Sequence, residues 1–251
     1  MPRLNAEERQ FGELQTIVVD SLPANTPPAL LVVLSHGFGA SGDDLAGLGV
    51  QLLQTIPELA AAVRFVFPAA PQDLAAYGMP GGRAWWPINM ARLMQMQQTR
   101  DYSQLTQLRP PGMTEATEQL AVAVREMQQQ WGLQDNQLVI GGFSQGAMVS
   151  TSLVLELPLH PALLVIFSGT LLDRARWTEL AQQHGGCPVL LSHGSDDEIL
   201  PQSAAEELLQ LLQQAGFAVN VCRFRGGHTI PMSVLTAFAD LLKTLLPTPG
   251  G

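Results

Sequence analysis

Gly142-Phe143-Ser144-Gln145-Gly146 places a serine midway between two glycines, in the pattern G-x-S-x-G. On a sharp turn from a strand into a helix, such a serine is held with strained dihedrals and its hydroxyl stands above the sheet edge, while the flanking glycines let the two backbones approach. The turn also aims the next amide, and the positive end of the helix dipole, at an oxygen that gains charge when the hydroxyl attacks an acyl carbon. Five residues of this kind also arise by chance around an ordinary turn serine. Here they follow the strand-like run Leu138–Gly142 and open the helix-like run Gln145–Leu157, which is the setting the chemistry requires.

A serine hydroxyl is a weak nucleophile and needs a base. On elbows of this type the partners follow in the chain order serine, acid, histidine. Of the five histidines, only His184, His193 and His228 lie at a suitable distance beyond Ser144. His184 sits in a polar Gln-Gln-His-Gly-Gly stretch and reads as a solvated loop residue. His193 ends a strand-like run before Gly194 and reads as structural. His228 follows the run Ala218–Phe224 through Arg225-Gly226-Gly227, a loop free to present a side chain over the sheet edge, and is the candidate base. The acid should follow the preceding strand, where Ser195-Asp196-Asp197-Glu198 offers three carboxylates that spacing alone does not separate. One buried carboxylate is needed to fix the imidazole tautomer and stabilise its cation.

The last part is a hole for the oxyanion, built from the amide after the nucleophile and an amide in the loop after an early strand. The loop Ser35-His36-Gly37-Phe38-Gly39-Ala40-Ser41-Gly42 carries three glycines that permit close backbone approach. A phosphate cradle is the competing reading, but the chain has no G-K-[ST] or G-x-G-x-x-G fingerprint with an acidic partner. The candidate donors are the backbone amides of Phe38 and Gln145.

These groups need a frame. Strand-like runs at Gln15–Val19, Leu30–Ser35, Val63–Phe67, Leu138–Gly142, Leu163–Phe167, Val189–Ser192 and Ala218–Phe224 alternate with helix-like runs. The helical runs are Asp43–Thr55, Thr114–Trp131 with Thr114 as the expected N-cap and Gly132 as the stop, Gln145–Leu157 ended by Pro158, Ser203–Ala215, and Pro231–Leu246. Several strands are continuously apolar, as strands buried on both faces should be. The alternation predicts an α/β fold, a mostly parallel sheet with helices on both faces, in three layers. With 251 residues, 46% hydrophobic and 14% charged, the expectation is one domain over residues 1–251. Residues 69–113 break the rhythm as a lid-like insertion.

A net charge of −9 disfavours nucleic acid and anionic membrane surfaces as partners. No run approaches the roughly 20 apolar residues that span a bilayer. The start, with charges of both signs and no apolar core, does not read as a secretory signal. The expected setting is cytoplasmic, and Cys187 and Cys222 read as small buried residues rather than a disulfide framework. Oligomeric state is not readable.

At this point the chain resembles the phospholipase/carboxylesterase family, which includes the acyl-protein thioesterases and small bacterial carboxylesterases. The resemblance rests on His36-Gly37-Phe38-Gly39 with Gly42 and Asp44-Leu45, then Phe65-Val66-Phe67-Pro68-Ala69-Ala70-Pro71, then Gly141-Gly142-Phe143-Ser144-Gln145-Gly146-Ala147, then His193-Gly194 with Asp197 and Pro201, and His228. It implies a compact α/β-hydrolase fold, a triad of Ser144, Asp197 and His228, oxyanion donors at Phe38 and Gln145, and no metal or organic cofactor. The third residue after the His-Gly pair is the acid in that family, which singles out Asp197. The activity implied is hydrolysis of carboxylic esters or thioesters, with a small-molecule or lipid-like acyl substrate. A lysophospholipase, or a binding protein that keeps the fold without the chemistry, are the competing readings. The insertion is richer in Trp and Met than the family pattern, and Trp85, Trp86 and Met90 are the candidate acyl-pocket residues, with a small core of the insertion's own as the competing reading.

Overall fold

A computed structural model of the chain describes residues 4–247, apart from residues 100, 103, 158 and 185. The chain opens with a hairpin of β1 (Asn5–Phe11) and β2 (Leu14–Asp20), joined through Gly12 at φ 55°. It continues through β3 (Leu30–Ser35), α1 (Ala46–Thr55), the single turn α2 (Pro57–Ala60) and β4 (Val63–Pro68). The insertion adds a two-stranded pair, β5 (Gln72–Asp73) and β6 (Arg83–Ala84), and the helix α3 (Met90–Thr99). Then follow α4 (Met113–Trp131), β7 (Leu138–Phe143), α5 (Gln145–Glu156), β8 (Leu163–Phe167), α6 (Arg174–His184), β9 (Val189–Gly194), α7 (Gln202–Gln214), β10 (Val219–Phe224) and α8 (Met232–Leu245).

Eight strands form one sheet in the order β1-β2-β4-β3-β7-β8-β9-β10. From β4 to β10 neighbouring strands are parallel; β1 and β2 add an antiparallel margin. Side chains alternate across a strand, and β3 shows the result. Leu31 and Val33 join a core with α4, α5, α6 and α7, whereas Leu30, Val32 and Leu34 join a second core with α1, α2 and α8. The sheet is thus the middle of three layers. The chain leaves β3 toward β4 on one side and returns to β7 on the other. Strand order therefore reverses between β3 and β7, and the crevice beyond the carboxyl ends of such strands is where α/β sheets bind ligands.

Several boundaries differ from the sequence reading. Strand β1 was not expected, because residues 5–8 are all exposed, Asn5, Glu7 and Glu8 are polar, and they show no core face. Helix α6 was also missed; among its described side chains, in the sequence RARWTELAQQH, only Trp177 and Ala181 are fully buried. His184 is therefore the last residue of a helix rather than part of a loop. Thr114 is not the N-cap of α4. That place is taken by Gly112 at φ 86°, while the Thr114 hydroxyl accepts a hydrogen bond from Arg109 Nε at 2.9 Å. The expected stop Gly132 does close α4 in the left-handed region. Pro158, expected to end α5, lies outside the described residues.

Candidate active site

Ser144 links β7 to α5 with φ 55° and ψ −119°, a backbone conformation that costs a non-glycine residue about 1–3 kcal/mol. The surroundings over-determine it. Its N–H donates to the Phe167 carbonyl at 2.9 Å, and its own carbonyl accepts from Ala147 and Met148 at the start of α5. A Cβ on Gly142 would lie 2.3 Å from the Ser35 carbonyl oxygen, and one on Gly146 would lie 2.0 Å from it. Both glycines of the motif are thus required by the end of β3, which packs under the elbow.

Asp197 and His228 come from loops after β9 and β10. Asp197 Oδ2 lies 2.7 Å from His228 Nδ1. Its Oδ1 accepts from the N–H groups of Ile199 and Leu200, both at 2.9 Å. The carboxylate side chain is fully buried, while that of His228 retains 15% exposure. Burial pushes the carboxyl up, but the hydrogen bonds from His228 and Leu200 outweigh it and hold the group below its ordinary value. Asp196 and Glu198 are exposed. With Nδ1 committed to Asp197, Nε2 is the nitrogen left for a reacting group. The His228 ring packs against Phe143, the neighbour of Ser144, with centroids 4.7 Å apart.

His193, read as structural, stands beside the same carboxylate. Its Nε2 lies 3.0 Å from the Leu200 carbonyl oxygen and 3.4 Å from Asp197 Oδ2. The bond to a carbonyl fixes the proton on Nε2, so Nδ1 is the bare nitrogen, and it is buried without a partner among the described residues. Burial pushes this imidazole down, partly offset by its bond to Leu200, so it is held neutral. The His-Gly-x-x-Asp spacing was the available signal that the two side chains meet.

The loop after β3 lies against the elbow: a Cβ on Gly37 would be 3.3 Å from Ser144 Cβ. Among the described residues the N–H groups of Phe38 and Gln145 donate to no protein acceptor. His36 beneath them is 1% exposed. Its Nε2 accepts from the Ala70 N–H at 3.0 Å, so the proton is on Nδ1, which donates to the Gly37 carbonyl at 2.8 Å. Burial pushes its pKa down and keeps it neutral.

The residues expected to line an acyl pocket are not brought together. Trp85 and Trp86 are 1% and 3% exposed and sit in the core with α4 and α5. Rings that enclosed present no face to an acyl chain; they pack in the main core on that side of the sheet instead. Met90, on α3, is 43% exposed. The Gln145 side chain, which the sequence reading passed over, is 2% exposed and hydrogen-bonds to the backbone of both tryptophans.

Among the described residues no helix is long and apolar enough to cross a membrane. The phospholipase/carboxylesterase family model matches residues 19–246. Acyl-protein thioesterase 1 from Eremothecium gossypii is 31% identical over 226 residues, covering 88% of this chain and 89% of its own. A probable carboxylesterase from Oryza sativa subsp. japonica is 27% identical over 86% of this chain and 88% of its own. The crystal structure of esterase PE8 superposes with a TM-score of 0.73 at 26% identity, over 97% of this chain and 100% of its own. A family match running from the end of β2 through α8 means that the chain belongs to the phospholipase/carboxylesterase family and is a serine hydrolase of carboxylic esters on the α/β-hydrolase fold, similar to the carboxylesterases and acyl-protein thioesterases.

Proposed function

We propose that the protein cleaves carboxylic esters and thioesters through an acyl-enzyme on Ser144, with His228 as base, Asp197 as the residue orienting it, and the N–H groups of Phe38 and Gln145 as oxyanion donors. The observation that carries this reading is the Asp197–His228 pair at 2.7 Å, its carboxylate fully buried, beside Phe143 and the strained Ser144 elbow. The Ser144 proton passes to His228 Nε2 as Oγ attacks the acyl carbon. The oxyanion forms between the two amides, each worth about 3 kcal/mol to the transition state. Collapse breaks the bond to the alcohol or thiol, which leaves with the proton from His228. Water then gives its proton to His228, attacks the acyl-enzyme, and Ser144 takes the proton back as the acid departs.

Each step uses groups of the chain and water. The substrate we propose is a small-molecule or lipid-like acyl ester, met in the cytoplasm and not on nucleic acid or within a bilayer. Residues 1–251 act as one domain in this reading, with 69–113 as its insertion. The test is turnover of p-nitrophenyl esters from acetyl to palmitoyl, with an acyl thioester alongside, by wild type and Ser144→Ala. The expected loss is about 10⁴-fold or more. Turnover by Ser144→Ala near that of wild type would overturn the assignment.

A further inference from the structure

The short segment Arg83–Trp86 touches both proposed oxyanion donors through hydrogen bonds to their immediate surroundings. On one side it holds the loop that carries Phe38. The Gly39 N–H donates to the Arg83 carbonyl at 2.8 Å, and the Arg83 N–H donates to the Ala40 carbonyl at 3.0 Å. Trp85 Nε1 donates to the His36 carbonyl at 3.0 Å. Phe38 is thus fastened from both flanks by one segment. The Arg83 guanidinium secures the far end, donating to the carbonyls of Ala70 and Pro71, while the Ala70 N–H bonds His36 Nε2.

On the other side the segment holds Gln145. The Trp85 N–H donates to Gln145 Oε1 and Gln145 Nε2 donates to the Trp86 carbonyl, both at 2.9 Å. A primary amide supplies one acceptor and one donor side by side, which is what a strand backbone presents between one N–H and the next carbonyl. Ala84, Trp85, Trp86 and Gln145 are all at most 3% exposed, so water does not replace these bonds. Oxyanion stabilisation depends on donors fixed before the charge appears, since donors that must reorient give up part of their advantage.

We infer that the Gln145 side chain and the Trp85 indole are positioning groups, which hold the amides of Phe38 and Gln145 at a set separation through Arg83–Trp86. They touch no reacting atom. The role rests on the oxyanion reading of those amides and goes beyond it, because it assigns the geometry of the hole to the insertion and not to the sheet alone. Trp85→Phe removes the bond to His36 while keeping most of the ring volume, and Gln145→Glu keeps the acceptor for Trp85 N–H but loses the donor to Trp86.

The experiment measures kcat, KM and melting temperature, and inhibition by an acyl trifluoromethyl ketone, whose adduct on serine carries a tetrahedral oxyanion. For Trp85→Phe we expect kcat to fall roughly tenfold with KM unchanged within twofold, and ketone affinity to weaken in step with kcat/KM. Gln145→Glu is expected to lose more, on the order of 10²-fold. Loss of kcat with ketone affinity unchanged, or wild-type kcat in Trp85→Phe, would overturn the inference; if Gln145→Glu fails to fold, Trp85→Phe decides alone. Ser144→Ala and fluorophosphonate labelling of wild type run beside them. An active Ser144→Ala, or an unlabelled wild type, marks failure of the underlying reading, whereas an inert Ser144→Ala with an unaltered Trp85→Phe marks failure of the positioning role only.

Discussion

Between β4 and α4, the first half of the insertion, residues 69–87, carries a surface turn around Tyr77, 73% exposed, between buried stretches at Ala70 and Ala84–Trp86, whereas the second half, residues 88–113, carries α3 on the outside. The first half is tied to the elbow and to the loop after β3 by backbone, indole and amide hydrogen bonds. The second half exposes Met90, Met94 and Leu108 by 43%, 54% and 51%. It is fastened at its far end, where Arg109 pairs with Glu156 and Asp173 and the Thr106 carbonyl accepts from the Arg174 N–H. One insertion therefore has two mechanical characters. The buried ends of its proximal part are bonded to the elbow and the loop after β3, while its distal part is bonded to α5 and the start of α6.

The sharpest way to break this comparison is Gly82→Ala. A methyl there would meet the Gly39 carbonyl oxygen at 2.8 Å and Met79 carbonyl at 3.1 Å, both backbone atoms that cannot swing aside. The loop bearing Phe38 must shift, and a displacement near 1 Å is expected to lower kcat by about 10²-fold. Steady-state kinetics on an acetyl ester, with circular dichroism to check folding, would show it. A kcat close to wild type would mean that the proximal half is not coupled to the site.

A second test uses pH. His36 and His193 are buried and neutral, with pKa values pushed below the ordinary 6.5, and Asp197 is held below 3.8. In each case the unfolded chain binds the proton first, so stability is lost as pH falls. The histidine contributions are complete above the unfolded value near 6.5 and decline below it; that of Asp197 is complete above about 3.8 and declines below that. The melting temperature is expected to fall by several degrees between pH 7 and 5, and less steeply in His36→Gln. A flat profile would contradict the neutral, hydrogen-bonded His36 that anchors Ala70.

The smallest effect belongs to the distal half. Met90→Gln should change acetyl ester kcat/KM by less than about twofold, and lower that for an octanoyl ester about threefold if the acyl chain runs along α3. Equal effects on both esters would place Met90 off the acyl path.

Most of the frame was legible because buried parallel strands are continuously apolar and helices show a stripe: Leu163–Phe167 is found where the residues predict it. The elbow was legible because glycine spacing records a close approach of backbones, and the position of His228 as a candidate base because a Gly-Gly loop follows an evident strand. The candidate acid was not separable from its neighbours by spacing, since Asp196, Asp197 and Glu198 share one loop; it is the buried Asp197 that meets His228. For Trp85 and Trp86 the choice between pocket and core stayed open for a related reason. Adjacent aromatic residues outside a periodic element carry no sign of which way they face, and theirs is inward. Strand β1 left no trace, because a strand with polar residues on both faces looks like a linker.

That polar strand also has a bearing on the behaviour of the molecule toward its own kind. β1 closes one margin of the sheet and, among the described residues, pairs with β2 alone, so its outer edge faces a strand that another molecule could bring. Glu7, Glu8 and the half-buried Arg9 occupy the middle of it. A strand docking there would have to strip water from these charges, and a row of unpaired amides thereby stops being a template for growth. The feature that made β1 hard to recognise is what ends the sheet at eight strands on that side.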